Sequence, residues 1–306
     1  VALEEAMKRP LVYIHSASHS GSTFLALQLA RHPEIGTVGE LSGTRYRAMP
    51  GYKCSCGQVL KHCEFWRRVS AAMARRGFAY SATSAETDIR NANSPVARRL
   101  LKPMHRGALF ESVRDLGLLL APGGWSHIER VQRMKLALVD SIMECSGKPV
   151  LVDSSKSGVQ LKYHLRNPGL DVKVIWLVRD GRGVTLSMMR NQGASLAHGA
   201  YEWRRRNEEA ETIVRHLERR RWMQLRYEVL CAEPERTLEA LFRFIGVAPR
   251  ASLDAAPELH VLGHRMRMNS GAPVQVNQRW RTELTGDDLA LFDAVAGRMN
   301  RAYGYA

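Results

Sequence analysis

Cysteine is scarce in this chain, and long apolar runs are missing altogether. Five cysteines in 306 residues are too few for the disulfide framework that holds small secreted domains together. No apolar stretch approaches the ~20 residues that a membrane-crossing helix needs, so no membrane span is expected. The opening VALEEAMKRP lacks the apolar core of a secretory signal, and the expected localisation is cytoplasmic. Zinc-finger spacing, RNP-type aromatic motifs and basic-region heptads are also missing, which removes the usual means of reading nucleic acid. No internal repeat and no low-complexity tract interrupts the chain.

Positive charge, by contrast, is plentiful. The 45 Lys and Arg against 30 Asp and Glu give a formal charge of +15, which predicts anionic partners such as phosphorylated nucleotides, acidic glycans or anionic surfaces. The runs Arg204-Arg205-Arg206 and Arg219-Arg220-Arg221 read as solvated helix faces rather than binding patches. With 45% hydrophobic residues, the chain can bury a full core, and residues 1–306 are read as one domain.

Short β-rich apolar runs at residues 11–14, 149–152, 172–178 and 222–225 are each followed by a polar turn and a helical pattern. Helices are expected over 24–30 and 234–245. Strands alternating with helices predict an α/β fold, a P-loop-like parallel sheet flanked by helices. Between residues 42 and 124 the β signal disappears. This polar, Arg-rich stretch reads as a mostly helical insertion that carries acceptor specificity.

Residues 16–23, Ser-Ala-Ser-His-Ser-Gly-Ser-Thr, join the first strand to the first helix. Such a loop turns main-chain N–H groups and a helix N-terminus toward an anion. Against the nucleotide-binding pattern G-x-x-x-x-G-K-S/T it keeps Gly21 and Thr23, but Ser22 stands where the pattern needs Lys. That Lys serves the β- and γ-phosphates of ATP, so the anion site survives while a P-loop kinase or NTPase becomes the weaker alternative. A basic module that binds glycan or nucleic acid is the other alternative.

Ser20-Gly21-Ser22-Thr23-Phe24-Leu25 resembles the 5′-phosphosulfate loop of sulfotransferases, K/R-S-G-S/T-T-x-L. Downstream, Val178-Arg179-Asp180 through Ser187 resembles the 3′-phosphate motif of that family, Arg226-Tyr227-Glu228-Val229-Leu230 its R-Y-E-D-L segment, and Trp280-Arg281 through Leu284 its W-K/R-x-x-L. Gly263-His264 through Arg267 resembles a late G-N-x-x-R loop, with His264 in place of Asn. The similarity runs from Tyr13 to about Leu284 and leans toward bacterial relatives of the Golgi-type carbohydrate and tyrosyl-protein enzymes.

The resemblance implies an enzyme that moves a sulfuryl group from 3′-phosphoadenosine 5′-phosphosulfate (PAPS) to a hydroxyl or amine of a small-molecule or glycan acceptor. It releases 3′-phosphoadenosine 5′-phosphate (PAP) and requires no metal. Ser20, Gly21, Ser22 and Thr23 are then expected to cradle the phosphosulfate, and Arg179, Ser187 and Arg267 the 3′-phosphate. Glu40, in a Gly-Glu segment, is the expected base. Lys156 and His19 are the expected cations at the transferring group, His19 standing where the family has Lys or Arg. His260 and His264 are lesser candidates.

Cys54, Cys56 and Cys63, with His62 adjoining, form a compact group that leaves three states open: a zinc site, a disulfide, or packed free thiols. Its C-x-C-G…C-x-F-W pattern is similar to one in some bacterial sulfotransferases and suggests a structural knuckle. Cys145 and Cys231 read as lone core residues.

Overall fold

The computed structural model describes residues 8–43, 45–102, 104–249, 259–263, 265–268, 276 and 278–305. The chain forms five strands, β1 (Arg9–Ser16), β2 (Ile35–Thr37), β3 (Val150–Asp153), β4 (Leu170–Val178) and β5 (Trp222–Arg226), with Val, Ile and Leu making up most of β3 and β4. They form one sheet in the order β2-β3-β1-β4-β5. Leu11, Val12 and Tyr13 pair in parallel with Leu151, Val152 and Asp153, and β4 pairs in parallel with β5 from Val174 to Val178. Six successive residues of β1 and all of β3 are buried, as expected of strands covered on both faces. The α/β fold with a helix-flanked parallel sheet is therefore as expected. The three-residue β2 was not anticipated, because so short a run after His32-Pro33 carries no periodicity.

Helices follow the strands: α1 (Ser22–Leu29), α2 (Glu64–Arg75), α3 (Pro95–Leu101), α4 (Ala108–Leu120), α5 (Gly124–Ser146), α6 (Gly158–Leu165), α7 (Gly181–Gln192), α8 (Leu196–Val214), α9 (Tyr227–Ala232), α10 (Pro234–Ile245), α11 (Trp280–Glu283) and α12 (Gly286–Phe292). Among the described residues no helix is long and apolar enough to cross a membrane. Two compact units divide the chain, with boundaries inside β1 and β4. One draws on residues 1–13, 23–173 and 252–271, the other on 14–22, 174–251 and 272–306.

In the first unit, Ile128 and Val131 of α5, Leu101 of α3, Leu118 of α4 and Tyr163 of α6 share one buried cluster. The residue 42–124 segment contributes α2, α3 and α4 to this unit, separated by irregular stretches such as residues 77–94. Lys162 of α6 fastens α4 with ion pairs to Glu111 (3.0 Å) and Asp115 (2.6 Å). In the second unit, Trp176, Val184, Trp203, Trp280, Phe292 and Tyr305 are buried together.

Candidate functional site

The loop between β1 and α1 has the shape that its Ser and Gly content predicts. The Ser20 N–H donates to the Ala17 carbonyl at 3.4 Å, and the chain then turns through His19 (φ 63°) and Gly21 (φ 94°). Gly21 also permits a close approach, since a Cβ there would lie 2.4 Å from the Tyr227 ring. Ser20 and Ser22 are buried, and α1 begins at Ser22. The hydroxyls of Ser16 and Ser20 have no hydrogen-bond partner among the described residues. A buried hydroxyl without a partner costs about 1–3 kcal/mol, so this loop holds unmet hydrogen-bonding capacity at a helix start, where anions are favoured.

Arg179, at the end of β4, braces that loop. Its Nη1 donates to the His19 carbonyl at 2.8 Å, and its guanidinium lies 5.0 Å from the centre of the Tyr227 ring. The His19 ring meets Gln192, with Nε2 atoms 3.0 Å apart. The Arg226-Tyr227-Glu228 segment organises the start of α7. Glu228 accepts from the Asp180 N–H (3.0 Å) and the Tyr305 hydroxyl (2.6 Å), while the Asp180 side chain caps α7 at Arg182 N–H.

Further along α7 a cavity of about 300 Å³ is lined by Gly183, Ser187, Arg190, Asn191, Arg279 and Trp280. Ser187 donates to the Gly183 carbonyl at 2.8 Å, and Arg190 pairs with Glu283 at 2.8 Å. Arg190 and Arg279 were missed by sequence reasoning. Arg190 lies one helical turn beyond Ser187, a spacing that could have signalled it, and Arg279 directly precedes the Trp280 already singled out.

In the first unit Glu40 follows β2 and Lys156 follows β3. They form an ion pair at 2.7 Å, both largely shielded. Asp153 sets this geometry from the end of β3. Its Oδ1 accepts from the Leu41 N–H at 3.1 Å and the Ser155 N–H at 2.9 Å, tying the two loops to one carboxylate. The Ser42 N–H adds a bond to Ser155 Oγ at 3.1 Å. Burial pushes the Asp153 carboxyl up from its ordinary range and lowers the Lys135 ammonium, which donates to Ser42 Oγ at 3.2 Å, to about 8. Lys156 itself adopts φ 65°. His19 and Lys156 are the non-glycine residues with positive φ among those described, and left-handed backbone in such residues clusters at functional sites.

Arg267, an expected 3′-phosphate contact, has carbonyl partners of its own in the first unit. Its guanidinium donates to the Lys53 carbonyl (2.8 Å) and the Gly263 carbonyl and lies 4.6 Å from the centre of the Tyr52 ring. His264 lies outside the described residues. His260 joins the cysteine group in place of His62, which is exposed on a 3₁₀ turn. Cys145 and Cys231 are half-buried rather than core residues, Cys145 lining a groove beside β2 and Cys231 meeting the Tyr227 hydroxyl.

Residues 10–250 match the model of a protein family described as the sulfotransferase family. Among solved structures, the sulfotransferase domain of the olefin synthase from Synechococcus PCC 7002 is 17% identical, with a TM-score of 0.52 over 94% of this chain and 95% of that one. The sulfotransferase domain from the curacin biosynthetic pathway is 18% identical, with a TM-score of 0.51 over 98% and 99% of the two chains. At these identities the likeness is one of fold. No curated protein matches the sequence.

Proposed function

We propose, from the premise that the chain belongs to the sulfotransferase family, that it transfers the sulfuryl group of PAPS to a hydroxyl or amine of a small-molecule or glycan acceptor. The observation that carries the donor assignment is a pair of buried hydroxyls, Ser16 at the end of β1 and Ser20 just before α1, with no hydrogen-bond partner among the described residues. Ser20, Gly21, Ser22 and Thr23 would receive the phosphosulfate with hydroxyls and main-chain N–H groups. Arg179 and Ser187 would hold the 3′-phosphate, with Arg190 and Arg279 supplying further positive charge at the cavity.

Glu40 would take the acceptor's proton as the acceptor oxygen or nitrogen forms its bond to sulfur. The bond from sulfur to the 5′-phosphate oxygen breaks in line, and PAP leaves with the electron pair. Lys156, released from Glu40, would neutralise charge on the transferring group. His19 would add charge there only when protonated. Every cation in this scheme would come from the chain: Lys156, Arg179 and, when protonated, His19. Positioning and electrostatics carry the catalysis, as they do in phosphoryl transfer.

Calorimetric titration with PAP in the absence of Mg²⁺, beside ATP with Mg²⁺, tests the donor assignment. PAP is expected to bind and ATP–Mg²⁺ to give negligible heat. Binding of ATP–Mg²⁺ without binding of PAP would overturn the reading in favour of a phosphoryl-transfer enzyme.

A further inference from the structure

We propose that Cys54, Cys56, Cys63 and His260 hold a structural zinc ion. One ligand atom from each lies within 4.8 Å of the others. The Cys56 and Cys63 sulfurs are 3.7 Å apart, and His260 Nδ1 lies 3.4 Å from the Cys63 sulfur and 3.9 Å from the Cys54 sulfur. A tetrahedral ion with Zn–S bonds of ~2.3 Å and Zn–N bonds of ~2.0 Å sets its ligand atoms roughly 3.5–3.8 Å from one another. A disulfide demands ~2.05 Å between sulfurs, and all three cysteines are free. Three soft thiolates with one imidazole are a donor set that selects zinc over hard cations.

Each ligand is presented by local structure suited to it. Residues 52–60 form a tight hairpin: Lys53 bridges Val59, Leu60 N–H donates to the Tyr52 carbonyl (2.8 Å), and Cys54 N–H donates to the Gln58 carbonyl (2.9 Å). Gly57 closes the turn at φ 86° with open space where a Cβ would be, so glycine is there for its backbone and brings both Cys54 and Cys56 to the hairpin tip. Cys63 immediately precedes α2. Cys54 and Cys63 are fully buried.

His260 comes from 197 residues beyond Cys63 and is held on several sides. Its ring stacks on Phe65 at 4.5 Å and 4°, and its carbonyl accepts from Trp66 Nε1 at 3.2 Å. Ser55, between the first two cysteines, accepts from the Val261 N–H at 2.7 Å and donates to the Leu259 carbonyl. A ligand oriented by such surrounding contacts is the usual companion of a built metal site.

The ion would fasten the Leu259–Gly263 segment to the hairpin. In that segment Leu262 N–H donates to the Val38 carbonyl at 2.8 Å, and a Cβ on Gly263 would lie 3.4 Å from the Glu40 carboxyl carbon. The zinc therefore steadies the ground beneath Glu40 without touching any reacting group.

Elemental analysis of the full chain, purified without added metal, is expected to give one zinc per chain. Cys56→Ser and His260→Ala should each lose most of it. Wild-type protein stripped and reloaded with Co²⁺ should show the thiolate-to-cobalt charge-transfer and tetrahedral d–d bands, a readout that does not depend on the variants folding. A metal-free preparation with a Cys56–Cys63 disulfide by mass would overturn the proposal. So would a metal-free preparation with three titratable thiols and no cobalt bands, or full zinc retention in both variants.

Discussion

Around Ser20 in the second unit, two buried hydroxyls lack partners among the described residues. Around Glu40 in the first, the charges already hold one another, Glu40 on Lys156 at 2.7 Å. Both regions sit on loops at the C-terminal ends of parallel strands, where open α/β sheets place their ligands. They differ in what an incoming molecule would meet. The Ser20 loop keeps a cost of about 1–3 kcal/mol for each unmet hydroxyl, a noticeable share of a total stability of roughly 5–15 kcal/mol. An anion there recovers that cost on binding. At Glu40 the ion pair would have to open first, so the proposed donor loop would be ready to bind while the proposed base would need release to react.

The largest test of this contrast is Glu40→Gln. The amide keeps the shape but cannot take a proton, so turnover should fall by ~10²–10⁴-fold, the range for losing a general base. Affinity for PAP should stay the same, because Glu40 does not serve the donor. Single-turnover kinetics beside PAP calorimetry separates the two. Normal turnover would move the base elsewhere and leave the Glu40–Lys156 pair with a purely structural part.

Arg179→Ala strikes the other region. It removes the donor to the His19 carbonyl and the charge stacked on Tyr227. PAP affinity should weaken by about 2–5 kcal/mol, the scale for truncating one member of a hydrogen-bonded charge pair. Unchanged PAP affinity would mean that Arg179 only braces the loop, and the 3′-phosphate would have to be sought at Arg190 and Arg279.

These assignments were unevenly legible in the sequence. The strand, loop and helix around Ser20 are contiguous, so period and turn chemistry reveal them together, and α10 falls on the expected 234–245. The pairing of Glu40 with Lys156 depends on β2 lying beside β3, a long-range choice that no local pattern encodes. His260 was hidden for the same reason, since its thiol partners lie about two hundred residues away. Arg267 shows the limit of spacing from the other side. Its spacing from Gly263 resembles a phosphate-binding loop, yet the side chain folds back onto the Lys53 and Gly263 carbonyls. Spacing places a residue; packing decides where its side chain points.

The mildest perturbation is pH, and it compares the two units through their buried imidazoles. His15 of β1 is fully buried, and neither ring nitrogen has a hydrogen-bond partner among the described residues. Glu209 lies 3.6 Å away and favours the imidazolium. Burial, and then Arg206, outweigh it and lower the His15 pKa from 6.5 to about 3. Between these two values the unfolded chain binds a proton at this position that the folded chain refuses, so stability is present above pH 6.5 and falls as pH drops. By pH 5 the loss is of order 2 kcal/mol. His164 in the first unit, also buried and lowered well below 6.5, acts with the same sign. His15→Gln should therefore lose less stability than wild type between pH 7 and pH 5 in urea melts, while keeping the His164 share. Equal losses in the two proteins would show that His15 accepts its proton within the fold, with Glu209 prevailing over burial.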